Sequence, residues 1–189
     1  MKSDRITIRD IAGFCPEEAV WKMMADVSAS LLKEKSCYCL TPESVIVDGY
    51  NFIVETDHSI VGEFMAPEQD GSEMTKASQM VWSLGAIAYY MATGHVVFGG
   101  HGSAYQKEHV SAPLPVLPKG LQMLTPVVQK CLNYSPDNRI SLNELIELTE
   151  KGLASCEKQQ RKDKPSTSKV QENKSGIIGD KWPEEMIER

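Results

Sequence analysis

The chain has 189 residues, 41% hydrophobic and 24% charged, enough for one domain with a sizeable core. Its net charge of −6 argues against nucleic acid or an anionic membrane surface as a partner. The charge is uneven: 19 acidic and 12 basic residues precede Ser155, and 7 and 8 follow from there, so an acidic body leads into a near-neutral tail.

The opening MKSDRITIRD has no apolar run of the kind a signal peptide needs, which predicts a cytoplasmic protein. Five cysteines without paired spacing agree, reading as free thiols in a reducing compartment. Thr7 predicts a capped short helix over Ile8–Ala12, ended by Gly13. Pro16 then opens a longer helix, with Glu17 and Glu18 at the positive end of its dipole. Val20, Met23, Met24, Val27 and Leu31 give that helix one apolar face, widened by Trp21. Cys37-Tyr38-Cys39 has half of a metal site's spacing, but no second pair follows, and no metal is expected. Val45–Val47 and Phe52–Val54 flank the turn signal Asp48-Gly49-Tyr50 and predict a β-hairpin.

Ala77 to Gly94 carries no charge and no clear polar face. A helix apolar nearly all round is buried or spans a membrane. Its dense apolar part is shorter than the ~20 residues a span needs, so it predicts a central core helix holding Met80, Trp82 and Gly85. Gly99, Gly100 and Gly102 lack the Lys-Ser/Thr of a Walker motif and read as a surface loop. Pro126 starts a helix through Leu132, and Ser141 with Glu144 forms a capping box for the last body helix, whose Leu142, Leu145, Ile146 and Leu148 are expected to face inward. Ser155–Gly176 has almost no large apolar residue and reads as disordered linker. Residues 177–189 recover apolar content, with Trp182 and Met186 as docking residues for a partner or for the chain's own body.

Several of these stretches carry a resemblance. Val81-Trp82-Ser83-Leu84-Gly85, with Thr93-Gly94 and Phe98, resembles the F helix of a protein kinase C-lobe. Met65-Ala66-Pro67-Glu68 is similar to the Ala-Pro-Glu end of a kinase activation segment. Cys131-Leu132 and Ser135-Pro136-Asp137-Asn138-Arg139 are similar to the segment that supplies a structural arginine. They occur in the order of a kinase and at plausible spacing, so the combination is more specific than any one motif. The resemblance implies a mainly helical, protein-kinase-like C-lobe with a small β-hairpin and no N-lobe, over residues 1–154. It also implies that Glu68 and Arg139 form a bidentate, buried ion pair. The opening, through Ile8, Ile11, Glu18 and Trp21, resembles the KIND domain, a kinase non-catalytic C-lobe module.

Against the kinase pattern, Leu40, Pro42 and Glu43 agree with the catalytic loop, while its chemical positions differ. Cys37-Tyr38-Cys39 stands for His-Arg-Asp, Thr41 for the lysine and Ser44 for the magnesium-binding asparagine. Met80 replaces an aspartate that steadies that loop. Asp57 falls about where kinases keep the aspartate of Asp-Phe-Gly, and also reads as a solvated loop residue. The expectation is therefore a pseudokinase: not an enzyme, without cofactor, binding a protein or peptide partner, a basic one by comparison with KIND modules. The alternative is a kinase-related fragment that binds ATP or phosphorylates when another chain completes it.

Overall fold

The uncharged stretch at the centre of the sequence forms α3 (Ala77–Thr93), and its burial runs around nearly the whole helix. Met80, Val81, Trp82, Leu84, Ile87, Ala88 and Met91 are all almost fully buried. In the computed structural model, residues 5–33, 40–55, 62–68, 77–100 and 113–163 are described.

Before α3 come α1 (Ile8–Ile11), α2 (Glu17–Lys33) and the strands β1 (Val45–Asp48) and β2 (Asn51–Val54). After it come α4 (Thr125–Cys131) and α5 (Leu142–Asp163). Helices α2 and α4 pack on α3, and α5 packs along α2. The fold is therefore mainly helical, with one two-stranded sheet among the described residues.

The local causes are those of the sequence. Asp10 accepts hydrogen bonds from the backbone N–H and hydroxyl of Thr7, fixing the start of α1. Gly13 then adopts φ +86°, and its Cα lies against Gly94, which has φ +72°. Both positions need a residue without Cβ, because the two backbones touch where α1 passes the end of α3. The apolar face of α2 is buried throughout, Trp21 included. The hairpin pairs antiparallel in the register Val45↔Val54 to Asp48↔Asn51, with Gly49 at φ +58° in its turn. It is tied to α2 by Asp26, whose carboxylate accepts the backbone N–H of Phe52 at 3.0 Å and pairs with Lys22 at 2.6 Å.

Glycines also set two helix spacings. A Cβ on Gly85 would lie 2.5 Å from the Cβ of Cys131, so α3 and α4 approach as closely as they do because position 85 is glycine. Likewise, a Cβ on Gly152 would meet the indole of Trp21 at 2.5 Å, so α5 lies directly on that ring.

Two expectations need correction. The linker expected from Ser155 does not begin there, because α5 continues to Asp163. Glu, Lys, Gln and Arg are strong helix formers, and Leu153 and Cys156 still pack against the core. Ile146, expected to face inward with Leu142, Leu145 and Leu148, does not join the core; Thr149 is fully buried instead. Cys15, Cys131 and Cys156 are free thiols, and burial pushes those of Cys15 and Cys131 up to about 12.

Candidate functional site

The segment similar to a kinase catalytic loop is described from Leu40 onward. Cys37, Tyr38, Cys39 and Asp57 lie outside the described residues. Thr41 and Ser44 are buried, at 0% and 2% exposure. The Ser44 hydroxyl accepts the backbone N–H of Thr41 at 3.0 Å and donates to the Thr41 carbonyl at 2.9 Å. The Thr41 hydroxyl accepts the Ser44 N–H at 3.3 Å. This closed turn feeds β1 and leaves neither hydroxyl facing solvent, so the two side chains serve local structure.

Glu68 and Arg139 meet at the base of α3. Arg139 donates from Nη1 to Oε1 of Glu68 at 2.6 Å and from Nη2 to Oε2 at 2.7 Å. This is a bidentate fork that lysine cannot form. The remaining donors go to the carbonyls of Asn133, Ser78 and Tyr134. The guanidinium lies 5.0 Å from the ring centre of Trp82. The arginine side chain is 0% exposed, whereas Glu68 retains 28%, so only one side of the pair is fully buried. Around it, Met80, Trp82 and Gly85 are core positions of α3.

A second constellation was not singled out by the sequence. A groove of about 540 Å³ lies between the start of α2, the turn before α4 and the outer half of α5. Glu17, Glu18, Trp21, Met123, Gly152 and Cys156 line it, and none of its described lining residues is basic. Met123 is 65% exposed on its edge. Glu18 accepts the Tyr50 hydroxyl at 2.7 Å, and together with burial this bond raises the Tyr50 pKa. Glu17 differs: its Oε1 is buried and has no hydrogen-bond partner among the described residues. Burial pushes its carboxyl pKa up, while the Trp21 indole and the Met123 backbone N–H pull it down. The groove therefore holds a part-buried carboxyl of which one oxygen has no donor among the described residues. The sequence signal for Glu17, an acid in the first turn of a helix, is common and pointed only to the dipole. Trp182 and Met186 lie outside the described residues.

No family model matches the chain. Two curated relatives do. The chain is 27% identical over 137 residues to the mitogen-activated protein kinase kinase MST7 of Pyricularia oryzae, a match covering 57% of this chain and 33% of the relative. It is 36% identical over 84 residues to the probable serine/threonine-protein kinase PkwA of Thermomonospora curvata, covering 44% of this chain and 11% of the relative. The chain thus spans a third or less of the length of these relatives. Together with the helical architecture, they support a protein-kinase-like relationship. They also correct the expectation that the chain is not an enzyme, because both relatives are named as protein kinases, which are enzymes. Among the described residues, no helix is long and apolar enough to cross a membrane.

Proposed function

We propose that this chain is a protein-kinase-related C-lobe that binds a protein or peptide partner in the cytoplasm, through the groove between α2 and α5. The observation that carries the reading is Glu17: a carboxylate oxygen buried in a groove and lacking a donor among the described residues. A lysine or arginine of the partner supplies that donor, and an apolar neighbour covers Met123. The acidic body draws a basic segment toward the site. The resemblance of Ile8, Ile11, Glu18 and Trp21 to a KIND domain supports the same reading, since those domains act as protein-interaction modules.

The test is a panel of short synthetic peptides pairing a basic residue with an apolar one, titrated onto the full chain by fluorescence anisotropy. Glu17→Lys and Met123→Asp are each expected to weaken the best binder at least about ten-fold, a 1.4 kcal/mol effect. Raising the salt should weaken it as well. Affinities unchanged by both substitutions, in proteins that melt like wild type, overturn the reading.

A second reading is favoured by the names of the relatives: phosphoryl transfer in a kinase-type enzyme completed by a nucleotide-binding lobe. Since Thr41 and Ser44 are engaged in their own turn, phosphate-holding groups would come from that added lobe and from Asp57. Transfer from magnesium-ATP to a generic protein substrate, abolished by Asp57→Ala, is the expected result on this reading. Equal transfer by both proteins removes Asp57 from it.

A further inference from the structure

We infer that Lys174–Trp182 of the same chain occupies the α2–α5 groove when no partner is bound, so that the chain covers its own docking surface. The inference rests on the groove reading above and adds the occupant.

Geometry places the segment close to the site. The outer half of α5 lines the groove through Gly152, Cys156 and Gln159, and the helix ends at Asp163. Gln159 lies four residues before that end, about 6 Å of helix. Thirteen residues separate Asp163 from Ile177, enough chain to reach up to about 40 Å. That reach covers the return from the helix end to the groove.

Chemistry matches as well. Lys174–Trp182 reads KSGIIGDKW and carries two lysines and one aspartate, hence a net charge of +1. The groove brings Glu17 and Glu18, and no basic residue is among its described lining. Lys181 supplies the N–H that the buried Glu17 oxygen lacks. Ile177, Ile178 and Trp182 supply apolar surface for exposed Met123 at the groove's edge. Tethering makes the contact intramolecular, at an effective concentration of about 1 mM for a short flexible linker. A contact of only ~100 μM intrinsic affinity is then closed about ten times out of eleven. A partner competing for the groove meets an apparent affinity lowered about ten-fold.

The experiment uses the full chain and a variant carrying Ile177→Asp and Trp182→Ala. The probe is a fluorescent synthetic peptide of residues 174–182, followed by anisotropy. The variant is expected to bind the probe at least about ten-fold more tightly than wild type, because its own tail no longer competes. Adding Glu17→Lys to the variant, or separately Met123→Asp, should remove that binding, with the melting temperature confirming that each protein is folded. Equal binding by wild type and variant overturns the inference, as does no binding by either. Dimers whose formation depends on concentration and on Trp182 would place the tail on a second copy and overturn the intramolecular form. The basic peptides of the previous section separate the two levels. If they bind in a Glu17-dependent way while the tail probe does not, the occupant is wrong and the groove stands. If neither binds, both fall.

Discussion

Replacing Arg139 by alanine should lower stability by about 3–5 kcal/mol, the cost of breaking a buried ion pair from one side. For a chain of this size that is a fall in melting temperature of roughly 10–15 °C. The arginine side chain has no solvent exposure, and its donors reach Glu68 and the carbonyls of Asn133, Ser78 and Tyr134. Its removal therefore strands acceptors from three segments at once. Glu68→Ala should cost less, nearer ~3 kcal/mol, because the guanidinium keeps its three carbonyl partners. Glu68 is also part-exposed, so in the arginine variant its carboxylate is rehydrated. The double variant should cost less than the sum of the singles, since each already removes the shared contact. Arg139→Lys should recover only part of the loss, a point charge replacing a two-pronged fork. Thermal melts that leave both alanine variants within a degree or two of wild type would show that the pair carries no structural weight.

The two residues of this pair stand 71 positions apart, and no periodicity links them. They became legible only because two short motifs occur together in a known order. The helices were legible for a simpler reason. In α2 the apolar face repeats at helical spacing, and in α3 the absence of charge over seventeen residues leaves burial as the one solution for a helix of that length. The groove was not legible, because it is assembled from residues near 17, 122 and 155, which no local pattern brings together. Its clues were ordinary on their own terms. Glu17 looks like a helix-dipole acid, and Gly152 looks like a weak point inside a helix. Only the ring of Trp21 beneath it shows why a side chain there is excluded. The end of α5 was not legible, because the scarcity of apolar residues after Ser155 hides the helix propensity of Glu157 to Lys162 and the packing of Cys156 that extend it. At Thr41 and Ser44 the sequence shows what a kinase would have lost. The structure shows what the two residues do instead, which is to close a buried turn ahead of β1.

Trp82→Ala should destabilise the fold by about 3–5 kcal/mol, the range for deleting a large buried aromatic side chain. Trp82 is 1% exposed and among the largest fully buried side chains of the described residues. Its indole holds two things in place besides the core. One is the guanidinium of Arg139, 5.0 Å from its ring centre, a stacking worth up to ~2 kcal/mol when desolvated. The other is Phe98, whose ring lies 6.3 Å away at a tilt of 31° and whose backbone sits at φ 57°, a left-handed conformation uncommon for an aromatic residue. That backbone is held by packing, so losing the indole should loosen the turn after α3 as well as leave a cavity. Hydrogen exchange at Val97 and Phe98 should therefore rise in Trp82→Ala more than unfolding alone explains. Trp82→Phe should keep most of the apolar contact and fall well short of the alanine loss. In a double-mutant cycle, Trp82→Ala and Arg139→Ala should show a coupling of about 1 kcal/mol, because each removes the same cation–ring contact. Peptide binding to the α2–α5 groove supplies the control, since Trp82 is not among the residues that line it. Below the lowered melting temperature, Trp82→Ala should bind as wild type does. A variant that keeps its melting temperature, or one that loses groove binding while still folded, would deny α3 the role of a passive central support.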